Sequence, residues 1–198
     1  DAGASSITVK ISEGGISLLE VADNGHGIHP EDFHLALGRH ATSKIRTTED
    51  LFSIKSWGFR GEALASITAV SRLTLSSRAD GTATGKELIT EGGAVRGEKS
   101  ISRPIGTTIR VEDLFFNTPA RRKFLKTKGA ETAQCWQILH RLALGSPEVE
   151  FEAWQDGEKI LHYPACKDPQ ERVVQVYREA WNLSLEPADL SELNAESP

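Results

Sequence analysis

An acidic residue followed by two glycines is the first group in this sequence whose types and spacing suggest ligand binding. Asp23 ends an apolar run, and Gly25 and Gly27 follow it closely. A carboxylate at a strand end can accept a hydrogen bond from the exocyclic amine of adenine. Glycines let the backbone approach a flat base because they carry no Cβ. The same residues are also typical of an Asx turn between a strand and a helix, so both interpretations stay open.

Residues 38–64 contain the hydroxyls, cations and glycines that commonly bind phosphate. They form two clusters, whose members are Thr42, Ser43 and Lys44 in the first and Arg60, Gly61, Glu62, Ala63 and Leu64 in the second. The second cluster opens a predicted helix, where backbone N–H groups can hold phosphate oxygens. The stretch 47–57 between the clusters is a candidate lid. An ordinary helix start beside a solvated loop explains these residues equally well.

The segment 117–128 is basic and contains no acidic residue. Its cations include Arg121, Arg122, Lys123 and Lys126. Such a cluster can contact DNA phosphates in a salt-dependent way. Alternatively, it is the solvated face of a short helix that Phe124 and Leu125 anchor in the core. The sequence favours neither interpretation.

The histidines and cysteines show no metal-binding pattern. His26, His29 and His34 lie close together without a recognisable ligand spacing. Cys135 and Cys166 are isolated, so they suggest neither a zinc site nor a disulfide framework. We therefore predict no metal site from these residues.

The elements that must position the candidate residues are short strands and helices. Alternating apolar residues and Gly-rich turns predict strands over 7–12, 16–22, 71–78, 86–90, 95–102, 107–114, 149–154 and 158–163. Helices are predicted to begin at Pro30, near Arg60 and at Thr118-Pro119, and to cover 130–144 and 169–180. Thr118 is expected to cap its helix through its side chain. The predicted buried stripe of helix 130–144 consists of Ala133, Trp136, Leu139, Leu142 and Ala143.

Composition and charge restrict the class of protein. The chain has 198 residues, of which 38% are hydrophobic and 26% charged, so it is globular rather than disordered or collagen-like. The net charge is -5, and residues 179–198 contain five acids and no Lys or Arg, which leaves residues 1–178 formally neutral. Any site for a polyanion must therefore be local. No apolar run is long enough to predict a membrane span.

Five segments, in this order, resemble MutL-type DNA mismatch repair proteins. They are Asp1-Ala2-Gly3-Ala4, Asp23–Ile28, His40–Ile45, Gly58–Leu64 and Leu114–Leu125. The Asp-x-Gly-x-Gly element is common to a superfamily that also includes gyrase, the large heat-shock chaperones and histidine kinases. The segments His40–Lys44 and Asn117–Phe124 are specific to the MutL type. The resemblance covers most of residues 1–165.

The resemblance implies an α+β fold, a two-layer α/β sandwich with a mixed, mainly antiparallel sheet covered on one face by helices (the Bergerat-type ATP-binding fold). Residues 1–165 are then an ATP-binding domain without its first helix and strand. Residues 166–198 are a closing helix and the start of a linker. The chain contains no Met and begins at Asp1, so we interpret it as a piece of a longer protein.

The resemblance also assigns roles, with ATP and Mg²⁺ as cofactors. Asp23 matches the adenine-binding Asp, Gly25 and Gly27 match the glycines beneath the base, and Thr107 supports the adenine side. Thr42, Ser43 and Lys44 match the start of an ATP lid, and Arg60, Gly61, Glu62, Ala63 and Leu64 match its end beside the triphosphate. The family's general-base Glu and Mg²⁺-binding Asn would fall before Asp1. No catalytic residue is therefore assigned, and hydrolysis by this chain alone is uncertain.

The implied function is an ATP-binding and ATP-hydrolysing switch that couples mismatch recognition to strand removal through lid closure and dimerisation. The implied partners are DNA, a MutS-type mismatch-recognition protein, a downstream nuclease or helicase and a second copy of the full-length protein. No membrane is involved, and the expected location is the bacterial cytoplasm near the nucleoid. The alternatives are a non-hydrolysing interaction module of the same fold and a gyrase-like ATPase domain.

Overall fold

A single mixed sheet organises the chain in the computed structural model, which describes residues 2–38 and 61–181. The strands are β1 (Ser6–Ser12), β2 (Leu18–Asp23), β3 (Arg72–Arg78), β4 (Gly85–Glu91), β5 (Ala94–Ile101), β6 (Gly106–Glu112), β7 (Glu150–Gln155) and β8 (Glu158–Tyr163). Their spatial order is β5-β4-β3-β6-β2-β1-β7-β8. Only β1 and β7 pair in parallel among the strand pairs described here. The predicted mixed, mainly antiparallel sheet is confirmed.

Five α-helices accompany the sheet within the described ranges. They are α1 (Phe33–Ala36), α2 (Ala63–Thr68), α3 (Pro119–Arg122), α4 (Lys128–Leu144) and α5 (Pro169–Trp181). Short 3-10 helices cover Glu13–Gly15 and Pro30–Asp32. Within the described residues, no helix is both long and apolar enough to cross a bilayer.

One face of the sheet carries the apolar core. On the β3–β4–β6 side, Leu73, Leu88 and Val111 are buried against Phe33 of α1, with Leu64 of α2 packed beside them. Alternation along each strand directs these side chains to one face. This half of the core positions α2 over the sheet.

The same face is covered on the β7–β8 side by α4 and α5. Leu139 and Ala143 of α4 pack with Phe151 and Tyr163 of the two strands, and Val176 of α5 joins the same cluster. The two parts of the core lie on the same face of the sheet. Val111 is paired with Leu19, and Leu19 with Ile11, across neighbouring strands. The helices of both halves therefore share one side, as the two-layer sandwich predicts.

The opposite face of the sheet is charged. Lys10 and Arg110 flank Glu20 from the neighbouring strands, each with a nitrogen 2.9 Å from a Glu20 oxygen. Burial opposes ionisation of Glu20, but the hydrogen bonds and charges of Lys10 and Arg110 outweigh it and lower the pKa of the carboxyl. The helices described here that pack on the two core clusters lie on the other face, and ion pairs of this kind suit a sheet surface that faces solvent.

Two local predictions are wrong. Thr118 precedes α3 but its side chain makes no capping hydrogen bond, and its Oγ1 is buried without a partner. Its backbone has φ -132° and ψ 68°, outside the ordinary capping conformation. In α4, the predicted Leu139 and Ala143 are buried and the predicted Trp136 packs against their cluster, but Ala133 is exposed. The half-buried Cys135 lies on the stripe in its place.

Candidate functional site

Asp23 lies at the last position of β2, beside Thr107 of β6 in the strand register. Its Oδ1 accepts hydrogen bonds from the Gly25 N–H at 2.9 Å and from the Thr107 N–H at 3.3 Å. The first of these bonds is that of an Asx turn, so the turn interpretation is correct. The described chain gives Oδ2 no hydrogen-bond partner, which leaves that oxygen as an acceptor for a ligand. The turn thus orients the carboxylate through Oδ1 and does not occupy Oδ2.

Hydroxyl groups hold the strands together next to Asp23. Ser77 of β3 is buried, and its Oγ donates to the Gly106 carbonyl at 2.9 Å and accepts the Ile28 N–H at 2.8 Å. The same Oγ lies 2.9 Å from Thr107 Oγ1. This network fixes the ends of β3 and β6 and the backbone after Gly27. Together Asp23, Gly25, Gly27, Ser77 and Thr107 form what we call the Asp23 edge.

The glycines of the Asp23 edge allow backbone segments to meet at very short distance. A Cβ on Gly27, whose φ is +75°, would lie 2.0 Å from the Arg78 carbonyl oxygen. A Cβ on Gly25 would lie 2.6 Å from the Ala2 carbonyl oxygen. Both glycines are therefore required by the packing of the chain itself, in addition to any role beside a base.

Arg103 supplies a positive charge close to Asp23. Its guanidinium donates to the Ser76 carbonyl, and Nη2 lies 3.2 Å from Thr108 Oγ1. Burial lowers the pKa of Arg103, and the negative charge of Asp23 acts in the opposite direction. The sheet thus holds this cation within electrostatic reach of the Asp23 carboxylate.

The phosphate-type residues are only partly within the described chain. Thr42, Ser43, Lys44 and Arg60 lie outside the described residues. Gly61, at φ +62°, leads through Glu62 into α2, which includes Ala63 and Leu64. Leu64 packs on the core, whereas Glu62 and Ala63 are exposed. The start of α2 is therefore held on the core by Leu64, while Glu62 and Ala63 face solvent.

The basic segment is defined here as Arg121, Arg122, Lys123, Phe124, Leu125 and Lys126. All of these residues except Leu125 are exposed, and Phe124 reaches 86% exposure. The suggestion that Phe124 anchors this helix in the core is wrong, because its ring is exposed and it lies beyond the single turn of α3, whereas Leu125 is half-buried. Within the described ranges, the side chains of Arg121, Arg122, Lys123 and Lys126 make no ion pair. Their charge is available to a partner.

One group of metal-type side chains lies elsewhere, on the charged face of β7 and β8. Glu150, Glu152 and His162 place potential ligand atoms within 4.8 Å of one another. His162 Nε2 is already 2.7 Å from Glu150 Oε1, and Lys159 pairs with Glu152. The group is explained by these cross-strand pairs.

Sequence reasoning missed Ser77 and Arg103. Ser77 follows the buried Leu73 and Leu75 at the same alternating spacing in β3. A hydroxyl on the buried face at a strand end was therefore the available signal. For Arg103 the sequence gives no signal, because its contacts to Ser76 and Thr108 depend on the pairing of separate strands.

Comparison with known proteins agrees with this fold. A family model described as histidine kinase-, DNA gyrase B-, and HSP90-like ATPase matches residues 1–116. The chain therefore belongs to this ATPase family. Within the family, its similarity is to the N-terminal ATPase domains of MutL proteins, as the motifs had indicated.

Relatives and solved structures support both the ATPase family and the similarity to MutL. The DNA mismatch repair protein MutL of Neisseria meningitidis serogroup C / serotype 2a is 51% identical over 165 residues, which are 83% of this chain and 25% of that protein. MutL of Streptococcus thermophilus is 42% identical over 177 residues, which are 89% of this chain and 27% of that protein. The chain thus spans about a quarter of the length of these relatives. The Aquifex aeolicus MutL ATPase domain complexed with ADP matches with a TM-score of 0.72 and 35% identity, over 90% of this chain and 63% of that one.

Proposed function

We propose that this domain binds ATP at the Asp23 edge and acts as the nucleotide switch of a MutL-type mismatch repair protein. The observation that carries the proposal is the state of the Asp23 carboxylate. Two backbone N–H groups hold Oδ1, while Oδ2 has no partner in the described chain. A fixed acceptor of this kind suits the exocyclic amine of adenine. The ADP complex of the Aquifex relative supports the same ligand class.

The chain's own residues divide the work of binding. Asp23 accepts from the base, Gly25 and Gly27 shape the surface beneath it, and Thr107 orients Asp23 through its N–H group. Backbone N–H groups from Gly61 to Leu64 meet the triphosphate, with Arg60 beside them. Thr42, Ser43 and Lys44 contribute from the start of the lid. Mg²⁺ would accompany the triphosphate and neutralise part of its charge; we assign it no side chain of the described ranges.

In the whole protein, we propose that ATP binding closes the lid and favours dimerisation, and that hydrolysis resets the switch. The switch would connect a MutS-type mismatch sensor to a downstream nuclease or helicase in the bacterial cytoplasm. We propose residues 1–165 as the ATP-binding unit and residues 166–198 as the closing helix and the start of a linker. The closing role is supported by Arg172 of α5, which donates to the carbonyls of Pro147 and Val149 at 2.8 and 2.6 Å.

Asp23→Asn tests the adenine contact. The N–H groups of Gly25 and Thr107 require an oxygen at the Oδ1 position, so the new amide nitrogen takes the place of Oδ2 and presents donors to the base. We expect at least about a tenfold loss of ATP affinity, measured by calorimetry with Mg²⁺, because a charged acceptor is replaced by a donor.

Asp80→Asn is the matched control. Asp80 is exposed, lies at the same end of the sheet with its N–H on the His26 carbonyl, and undergoes the same change of charge. We expect its ATP affinity to stay within about twofold of the original chain. Equal affinities in all three proteins would refute the adenine assignment. A chain that binds no nucleotide at all would support the interaction-module alternative.

We also propose that the basic segment contacts DNA phosphates. The support is that the described structure gives its four cations no ion-pair partner. Residues 1–178 are formally neutral as a whole, so these cations form a local excess of positive charge. The double change Arg121→Glu/Arg122→Glu should weaken duplex DNA binding. It should also reduce the slope of log binding constant against log salt concentration by about 2 in magnitude. Arg141→Glu/Lys167→Glu, at exposed cations elsewhere, is the control. Equal losses from both pairs of changes would mean that only net charge matters.

A further inference from the structure

The C-terminal end of α2 is bonded directly to the loop that precedes the basic segment. The Asn117 side-chain amide donates to the Ala69 carbonyl at 3.0 Å. The Phe115 N–H donates to the Val70 carbonyl at 2.7 Å. Ala69 is the C-cap of α2 and Val70 follows it. The N-terminal end of α2 follows the proposed phosphate site. Two hydrogen bonds therefore connect the nucleotide side of the molecule to residues 113–118.

The same loop is held in a conformation that its residues would not adopt by themselves. Asp113 and Phe115 have φ values of +52° and +64°. A left-handed backbone is rare for an aromatic residue and is energetically unfavourable at such a position. The bonds from Phe115 and Asn117 to α2 are among the contacts that maintain it. Unusual backbone geometry of this kind persists where surrounding contacts impose it.

The beginning of α3 depends on this loop. The Thr118 carbonyl accepts the N–H groups of Arg121 and Arg122 at 3.0 and 3.1 Å, while the Thr118 hydroxyl contributes no cap. A helix of one turn is unstable by itself. The order of α3 therefore follows from where residues 115–118 are held.

At its other end the basic segment is attached independently of α2. Lys128 Nζ lies 2.5 Å from Glu13 Oε1. A Cβ on Gly14 would be 2.8 Å from the Lys128 carbonyl oxygen, which shows how closely α4 and the β1–β2 turn are packed. Thr127 caps α4 by accepting the Ala130 N–H at 3.3 Å. Only the first anchor leads to the proposed nucleotide site.

We infer that residues 113–118 transmit nucleotide binding from α2 to the basic segment, with Asn117 as the positioning residue. The inference rests on the proposed nucleotide site, and it adds a route by which that site controls the order of α3. Nucleotide that orders α2 stabilises its C-terminal carbonyls. Asn117 and the Phe115 N–H then hold Thr118 in place, and α3 becomes more ordered although it touches no nucleotide.

Amide hydrogen exchange on the 198-residue chain tests this route, with a non-hydrolysable ATP analogue and Mg²⁺ as the probe. One reporter is α2 and the other is the set of Arg121, Arg122 and Phe124 amides. In the original chain we expect the analogue to slow exchange at both reporters, by about two- to tenfold at the second, as a neutral hydrogen bond implies. Asn117→Ala should retain the slowing in α2 and lose it at the second reporter.

Two further variants separate the hydrogen bond from general destabilisation. Asn117→Asp keeps the side-chain shape but removes the donor, so it should behave as Asn117→Ala does. Thr127→Ala weakens the other anchor by removing a helix cap and should leave both responses intact. Slowing confined to α2 in the original chain, or retained at α3 in Asn117→Ala, would overturn the route while the nucleotide site stands. No slowing at either reporter would overturn the nucleotide site and the route with it.

Discussion

The Asp23 edge and the basic segment represent two ways of carrying functional groups. At the Asp23 edge the chain itself fixes nearly every group, since Oδ1 of Asp23 holds two N–H groups and Ser77 Oγ contacts three partners. In the basic segment, Phe124 is 86% exposed and the neighbouring cations have no ion-pair partner in the described chain. Folding therefore fixes the first region and leaves mainly Oδ2 of Asp23 for a ligand, whereas the cations of the second region depend on a partner for any ion pair.

This difference determines how each region should respond to mutation. Substitutions at the Asp23 edge act on folding and on ligand binding together, because the same bonds serve both. Substitutions in the basic segment should affect binding and leave folding unchanged.

Gly27→Ala should cost the most stability, about 4 kcal/mol or more, which places it among exceptional single substitutions. The new Cβ would lie 2.0 Å from the Arg78 carbonyl oxygen at a φ of +75°. Gly81 has nearly the same φ, +76°, with nothing within 4 Å of the position of a Cβ. Gly81→Ala should therefore cost only the conformational penalty of about 1 kcal/mol. Because φ is nearly the same at both positions, the difference between the two losses in unfolding free energy, measured in urea, reports the clash alone. Similar losses would contradict the close packing at Gly27.

Ser77→Ala should cost about 2–3 kcal/mol, because it leaves the Gly106 carbonyl and the Ile28 N–H buried without their partner. Its neighbour Ser76 provides the comparison on the charged face, where its Oγ donates to Glu87 at 3.0 Å. Ser76→Ala should lose less than about 1 kcal/mol. The difference in urea midpoints should disappear if the hydroxyl network does not hold the edge together.

Glu20→Gln should lower stability by about 1–2 kcal/mol at neutral pH, an effect between those of the two regions. The folded pKa of Glu20 is lowered from its ordinary value of about 4.5. Its contribution is therefore present above that value and is lost as the pH falls through the lower folded pKa. Denaturation at a series of pH values should show the two proteins converging in acid. Glu158→Gln, at an exposed carboxylate, should show no such convergence, and a constant gap for Glu20→Gln would refute the ionic origin.

Phe124→Ala should change the free energy of unfolding by less than about 0.5 kcal/mol, because the ring is 86% exposed. Phe33→Ala is the buried counterpart at 0% exposure and should cost about 3–5 kcal/mol. Thermal or urea unfolding distinguishes the two. A loss comparable to that of Phe33→Ala would restore the anchoring interpretation of the basic segment.

The fold was largely predictable because its signals are local. Alternation placed the strands to within a few residues, and the hairpin of β7 and β8 turns at Asp156 and Gly157, both at positive φ. Asp23, Gly25 and Gly27 were identifiable since each has a residue-specific reason to occupy its position. The exposure of Phe124 was not predictable, because an aromatic residue near a helix is usually buried and no local signal shows that α3 ends at Arg122, before Phe124.

What remained out of reach depends on contacts between distant parts of the sequence. Ser77 acts through Gly106 and Thr107, and Arg103 acts through Ser76 and Thr108. These pairings arise only once β3 and β6 are neighbours. The sequence contains a weak signal for Ser77, which is a polar residue on a buried face, and no signal for Arg103.

The most direct test of nucleotide binding at the Asp23 edge is an amide chemical-shift map of the ¹⁵N-labelled chain as ATP and Mg²⁺ are added. Binding at the Asp23 edge predicts the largest shifts at Asp23, Gly25, Gly27 and Thr107, accompanied by shifts from Gly61 to Leu64. Asp23→Asn should abolish the first group at the same nucleotide concentration. Shifts confined to the basic segment, as expected if the phosphates only find exposed cations, or no shifts at all, would contradict the account.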